Sequence, residues 1–68
     1  MTLKDLEIGE SAYITGETCP QLRRLGFRGG TLVTALHKSF RGGLTAYSVK
    51  GGVFALRDDD AACINLYR

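Results

Sequence analysis

Gln21-Leu22-Arg23-Arg24-Leu25-Gly26-Phe27-Arg28-Gly29-Gly30-Thr31 is the segment from which the layout of this chain follows. Leu22 and Leu25 stand three apart with arginines between them. On a helix both leucines fall on one face, and Arg23 and Arg24 point to solvent. Gly26 follows the last apolar residue and is placed to take the left-handed conformation that closes a helix, while two arginines in the final turn suit the negative end of its dipole. Phe27 is an apolar plug, Arg28, Gly29 and Gly30 make a turn, and Thr31 opens an extended run. A helix this short lies far below the roughly 12 to 15 residues at which an isolated helix is stable in water. It must therefore dock on something, through Leu22, Leu25 and Phe27.

Toward the N-terminus, Pro20 suits the first turn of that helix, where a missing N–H costs nothing, and Thr18 is placed as its N-cap. Gly16 ends a candidate strand over Ser11–Thr15, with Ala12 and Ile14 on one face and Tyr13 on the other. Thr2 and Asp5 fit the Ser/Thr-x-x-acid capping pattern, and Gly9 and Glu10 turn the chain. Toward the C-terminus, residues 31–38 read as the longest strand, with Val33 and Ala35 on one face and Leu32, Thr34 and Leu36 on the other. Residues 39–43 read as a hairpin loop with Phe40 and Arg41 at its tip, and residues 44–50 return as a strand. Gly51-Gly52 reads as a tight two-residue connection into a strand over residues 53–57. Asp58, Asp59 and Asp60 begin a helical turn, with Asp58 or Asp59 capping it, and residues 63–66 form a last strand around Ile64.

About five short strands joined by glycine turns, with one or two short helices, describe a mostly-β small barrel or sandwich. Closure would remove the exposed strand edges that make small sheets sticky. The expected shared core is Ile14, Val33, Tyr47, Val49, Phe54, Leu56 and Ile64.

At 68 residues the chain is one domain, residues 1–68, and a small one. A chain of this size buries only about 60% of the surface its unfolded form exposes, so its core is thin. The 44% apolar and 24% charged fractions are those of a globular protein rather than a disordered one. A net charge of +2 is too mild to mark a nucleic-acid or membrane binder by itself. Two cysteines, Cys19 and Cys63, do not make a disulfide framework and are read as reduced thiols in a cytoplasmic protein. Residues 1–10 alternate apolar and charged side chains and do not read as a signal peptide. No apolar run approaches the roughly 18 residues a membrane span needs, so any business with a membrane is expected to go through a partner.

Leu22-Arg23-Arg24-Leu25-Gly26-Phe27 followed by Gly30-Thr31, then a hairpin, then Phe54-Ala55-Leu56-Arg57 with acidic residues and Ala61, resembles the FeoA family. The likeness starts from Leu3, Leu6, Gly9 and Glu10 and runs to Ile64, nearly the whole chain. It implies an SH3-like barrel in the cytoplasm with no catalytic residues, beside the ferrous iron transporter FeoB, whose cytosolic part is a GTPase. The same domain also occurs on metal-dependent transcriptional repressors, so a module of transcriptional control that binds a repressor or nucleic acid is the alternative. The family often has proline before the glycine of Gly-Thr, where this chain has Gly29; that difference predicts a looser turn.

The residues themselves support no catalytic assignment. The only histidine, His37, sits at a strand end near Lys38, as an ordinary solvated histidine does. A stable divalent site wants three or four convergent ligands, whereas Asp58, Asp59 and Asp60 are consecutive and diverge. No metal site or cofactor is therefore assigned, and kinship with iron transport does not imply that this chain binds iron. For single-stranded nucleic acid, the only aromatic–basic pairings are Phe40 with Arg41 and Lys38, and Phe27 with Arg28; the tyrosines form no visible stripe. Protein binding fits best. If Val33, Tyr47, Phe54 and Leu56 face inward, Leu32, Leu36 and Val53 face outward, and with Phe27 and Phe40 they form an apolar surface rimmed by Arg23, Arg24, Arg28 and Arg41. Weak self-association is a further expectation for such a surface.

Overall fold

The computed structural model describes every residue except Glu17, Cys19, Phe40, Arg41, Gly42, Gly51 and Arg68. The expected loop tip at Phe40 and Arg41 therefore lies outside the described residues. Five antiparallel strands form one sheet in the order β4-β3-β2-β1-β5, where β1 is Ser11–Thr15, β2 Leu32–Lys38, β3 Leu44–Val49, β4 Gly52–Arg57 and β5 Asn65–Tyr67. Period-two alternation turns Ala12 and Ile14 of β1 inward, and Val33 and Ala35 of β2 likewise. Leu32, Leu36 and Val53 are exposed, as that alternation requires.

The sheet curls but does not close into a ladder. Strands β4 and β5 are its two edges, and the chain passes between them through the short helix α2, Asp58–Ala62. A single 3-10 turn at Leu3–Asp5 packs against α2, burying Leu3 and Leu6 in the core. The same N-terminal segment covers the outer edge of β5. The Leu3 N–H donates to the Ile64 carbonyl at 2.8 Å, and the Leu66 N–H donates to the Met1 carbonyl at 2.8 Å.

Helix α1, Pro20–Leu25, ends as the glycine predicts. Gly26 takes φ +109°, its N–H donates to the Arg23 carbonyl, and the Phe27 N–H donates to the Leu22 carbonyl. That pair of bonds is the Schellman closure, in which a left-handed glycine lets two otherwise orphaned carbonyls find donors. Leu22 is buried, Leu25 is half-buried against the core, and Phe27 is wholly enclosed, meeting Phe54 edge-on at 6.2 Å.

Several local expectations are corrected. The Thr18 hydroxyl donates to the Phe27 carbonyl, fastening the two flanks of α1 to each other instead of capping the helix. Arg57 occupies the N-cap position of α2, so the three aspartates stand inside its first turn, where negative charge still favours the helix. Gly52 belongs to β4, opposite Val49, so the strand starts one residue earlier than expected. Ile64 is fully buried just before β5, and the final strand starts at Asn65. The turn that holds Gly29 is hydrogen-bonded. The Gly30 N–H donates to the Ile14 carbonyl at 2.6 Å, and the Thr31 N–H donates to the Arg28 carbonyl at 3.1 Å.

Candidate protein-interaction surface

Strand register brings together side chains that the sequence keeps far apart. Tyr13 lies opposite Tyr67 of β5 on one side and opposite Leu32 of β2 on the other. All three point to the outer face, at 44%, 50% and 47% exposure for Tyr13, Tyr67 and Leu32, so half of each large apolar body meets solvent. The two tyrosine rings stack with centroids 5.6 Å apart and planes inclined by 27°. Next to this strip Tyr13, Leu32, Thr34, Ser48 and Lys50 line a shallow hollow, which gives the apolar floor a polar side and one cationic rim group. Ser11 and Thr34 share a hydroxyl–hydroxyl bond of 2.6 Å beside it, so the polar border is ordered.

The arginines occupy a neighbouring position. Arg23 and Arg24 are exposed on α1, and Arg28 is exposed just after it, with its Nε donating to the Arg23 carbonyl at 3.2 Å. The turn that carries Arg28 is tied to β1 through Ile14, whose N–H donates to the Thr31 carbonyl at 2.9 Å. This holds the basic turn against the strand that presents Tyr13.

The apolar surface expected from the sequence is thus divided. Leu32 joins the strip. Leu36 is the bulged residue where the β2–β3 register shifts between Ala35 and His37. Val53 stands on the edge strand β4, with β3 between it and β2. Phe27 must be removed from the surface altogether. It is 0% exposed, because the Schellman closure turns it under α1 into the core. Phe40 and Arg41 lie outside the described residues. Tyr13 and Tyr67 are the members that sequence reasoning missed. Alternation along β1 already turned Tyr13 outward, but its companionship with Tyr67 follows only from the β1–β5 register.

Asp5 and Tyr47 depart from ordinary behaviour, and both are structural. The Asp5 carboxylate accepts the Thr2 N–H at 2.9 Å and the Thr2 hydroxyl at 3.1 Å, and these bonds, the backbone one foremost, hold its pKa below the usual value. Burial pushes the Tyr47 phenol up, with the charge of Asp58 adding to it and a hydrogen bond with Thr45 opposing it. Among the described residues no three His, Cys, Asp or Glu side chains are grouped as a metal ion would need, and no helix is long and apolar enough to cross a membrane.

The whole chain, residues 1–68, matches the model of the FeoA domain. FeoA from Stenotrophomonas maltophilia, in a crystal structure complexed with zinc, superposes with a TM-score of 0.82 at 29% identity, over 98% of this chain and 89% of that one. That protein is described as a unique prokaryotic SH3 domain protein and a candidate activating factor for bacterial ferrous iron transport. The solution structure of the FeoA protein from Chlorobium tepidum superposes with a TM-score of 0.84 at 25% identity, over 98% of this chain and 69% of that one. No curated protein matches the chain significantly. With the match running from end to end and the five strands superposing on SH3-like relatives, the chain belongs to the FeoA family, which is associated with ferrous iron transport.

Proposed function

We propose that this chain is a non-enzymatic, cytoplasmic accessory module that binds a FeoB-type transporter, at its GTPase-bearing cytosolic part, and tunes its activity or assembly. The observation that carries this reading is the Tyr67–Tyr13–Leu32 strip, three half-exposed large side chains aligned across three strands. Aromatic anchors of this kind, with few torsions to freeze, contribute strongly to protein interfaces. Arg23, Arg24 and Arg28 lie beyond the apolar strip and supply long-range attraction to an acidic partner surface. Membership of a family tied to ferrous iron transport supports a transporter as the partner. Leu36 and Val53 fall outside the strip and are peripheral to this contact.

Calorimetric titration of the full chain into the transporter's isolated cytosolic part tests the reading. Tyr13→Ala and Leu32→Asp are each expected to weaken binding tenfold or more, at least about 1.4 kcal/mol. Reversing Arg23 and Arg24 to glutamate is expected to slow association and flatten its salt dependence. Absence of binding, or affinity unchanged by both strip substitutions, overturns the proposal. Stoichiometric micromolar uptake of ferrous ion by the chain alone, under anaerobic conditions, would instead identify a metal carrier.

A further inference from the structure

The two edges of the sheet are treated differently. The outer edge of β5 is occupied by residues Met1 and Leu3, whereas among the described residues no segment pairs with the outer edge of β4. The Asp58 N–H donates to the Gly43 carbonyl at 2.9 Å, one step beyond the Leu44–Arg57 pair, and this sets the alternation of the ladder. Leu56, Phe54 and Gly52 therefore turn their N–H and C=O groups toward β3, while Val53 and Ala55 turn theirs outward. Natural edge strands are commonly protected by charged side chains, proline, a bulge or a covering segment. Residues Gly52 to Leu56 of β4 carry no charge and no proline, its one charged residue being Arg57 at the end, and Val53 is 59% exposed.

Charge selects the occupant. Lys50 stands just before β4, and Asp58, Asp59 and Asp60 stand just after it beyond Arg57. The strand is thus positive at one end and negative at the other. An antiparallel pairing of two such strands sets each copy's Lys50 end beside the other's aspartates, whereas a parallel pairing sets like charge beside like. From these features we infer that β4 is a self-association edge, at which two copies of this chain join their sheets antiparallel about Ala55. Val53 of one copy then lies opposite Arg57 of the other, whose aliphatic stem covers it. The tyrosine strip takes no part, so this contact stands independently of the transporter-binding reading.

The test is sedimentation of the full chain from micromolar to millimolar concentration. The wild type is expected to show a concentration-dependent monomer–dimer equilibrium. Ala55→Pro removes an outward N–H that β3 does not use, and is expected to give a monomer with an unchanged far-ultraviolet circular dichroism spectrum. If that variant fails to fold, Val53→Lys, on a solvent-facing side chain, is expected to abolish the dimer equally. Lys50→Glu should weaken association about fivefold, and adding Asp59→Lys and Asp60→Lys should restore it. A wild type that stays monomeric throughout, including one that takes up an extended transporter segment at this edge instead, overturns the inference. So does a dimer that survives Ala55→Pro or Val53→Lys, or one that dissociates only on Tyr13→Ala.

Discussion

Gly29 runs so close to Gly16 that a Cβ built on it would stand 2.6 Å from the Gly16 carbonyl oxygen. The obstacle is backbone, which cannot swing aside as the tip of a side chain can. This contact closes the long excursion between β1 and β2 and leaves no room for a Cβ at position 29. Gly29→Ala is expected to cost about 1 to 3 kcal/mol, the usual penalty for forcing an extra carbon into a filled space. Urea denaturation measures it, and wild-type stability would show that the two segments separate freely.

Burial grades the anchors of α1. Leu22→Ala is expected to cost about 2 to 5 kcal/mol and Phe27→Ala about 3 to 5, as for other enclosed side chains, while half-buried Leu25→Ala should cost less than half of the Leu22 value. A domain of this size holds only a few kcal/mol in total, so Phe27→Ala is expected to be largely unfolded by circular dichroism at room temperature. Equal losses at Leu22 and Leu25 would contradict the observed docking.

The stacked pair Tyr13–Tyr67 ties the last strand to the first. A double-mutant cycle with alanine at both positions is expected to give a coupling of about 0.5 to 1 kcal/mol in thermal or chemical unfolding. Additive losses would mean that the rings merely lie near each other.

Asp5 should make the N-terminal turn sensitive to acid. Its folded pKa lies below the ordinary value because Thr2 donates to the charged carboxylate. Its contribution is therefore complete above the unfolded pKa and is lost as the pH falls through the folded one. Unfolding curves recorded downward from neutral pH should show a loss of stability below about pH 4 that is smaller in Asp5→Asn. An identical acid limb in the variant would remove Asp5 from the account.

Much of the architecture was legible in the sequence because it is written in local rules. Gly26 beyond a leucine pair predicts a closed helix, Thr2 with Asp5 predicts a capped turn, and alternation along residues 11–15 and 31–38 assigns faces without reference to anything distant. Where these rules meet longer-range competition they fall short. Thr18 has the chemistry of a cap, yet its hydroxyl goes to the carbonyl of Phe27, a partner beyond the far end of the helix. Phe27 reads equally well as plug or as surface, and only the path of the chain after Gly26 sends it inward. Leu3 and Leu6 stand outside the expected core, and only the packing of the N-terminal turn against α2 buries them.

Local patterns in the chain were enough for the number and type of elements, the inward and outward faces of the strands, and the family. Tertiary structure decided which strands are neighbours, and with that which outward residues share a surface. Periodicity tells each strand which way its side chains point but carries no term for the strand beside it. Tyr13 and Tyr67 become one feature, and Val53 is left alone on an open edge, only once register and order are set by the burial of the opposite face.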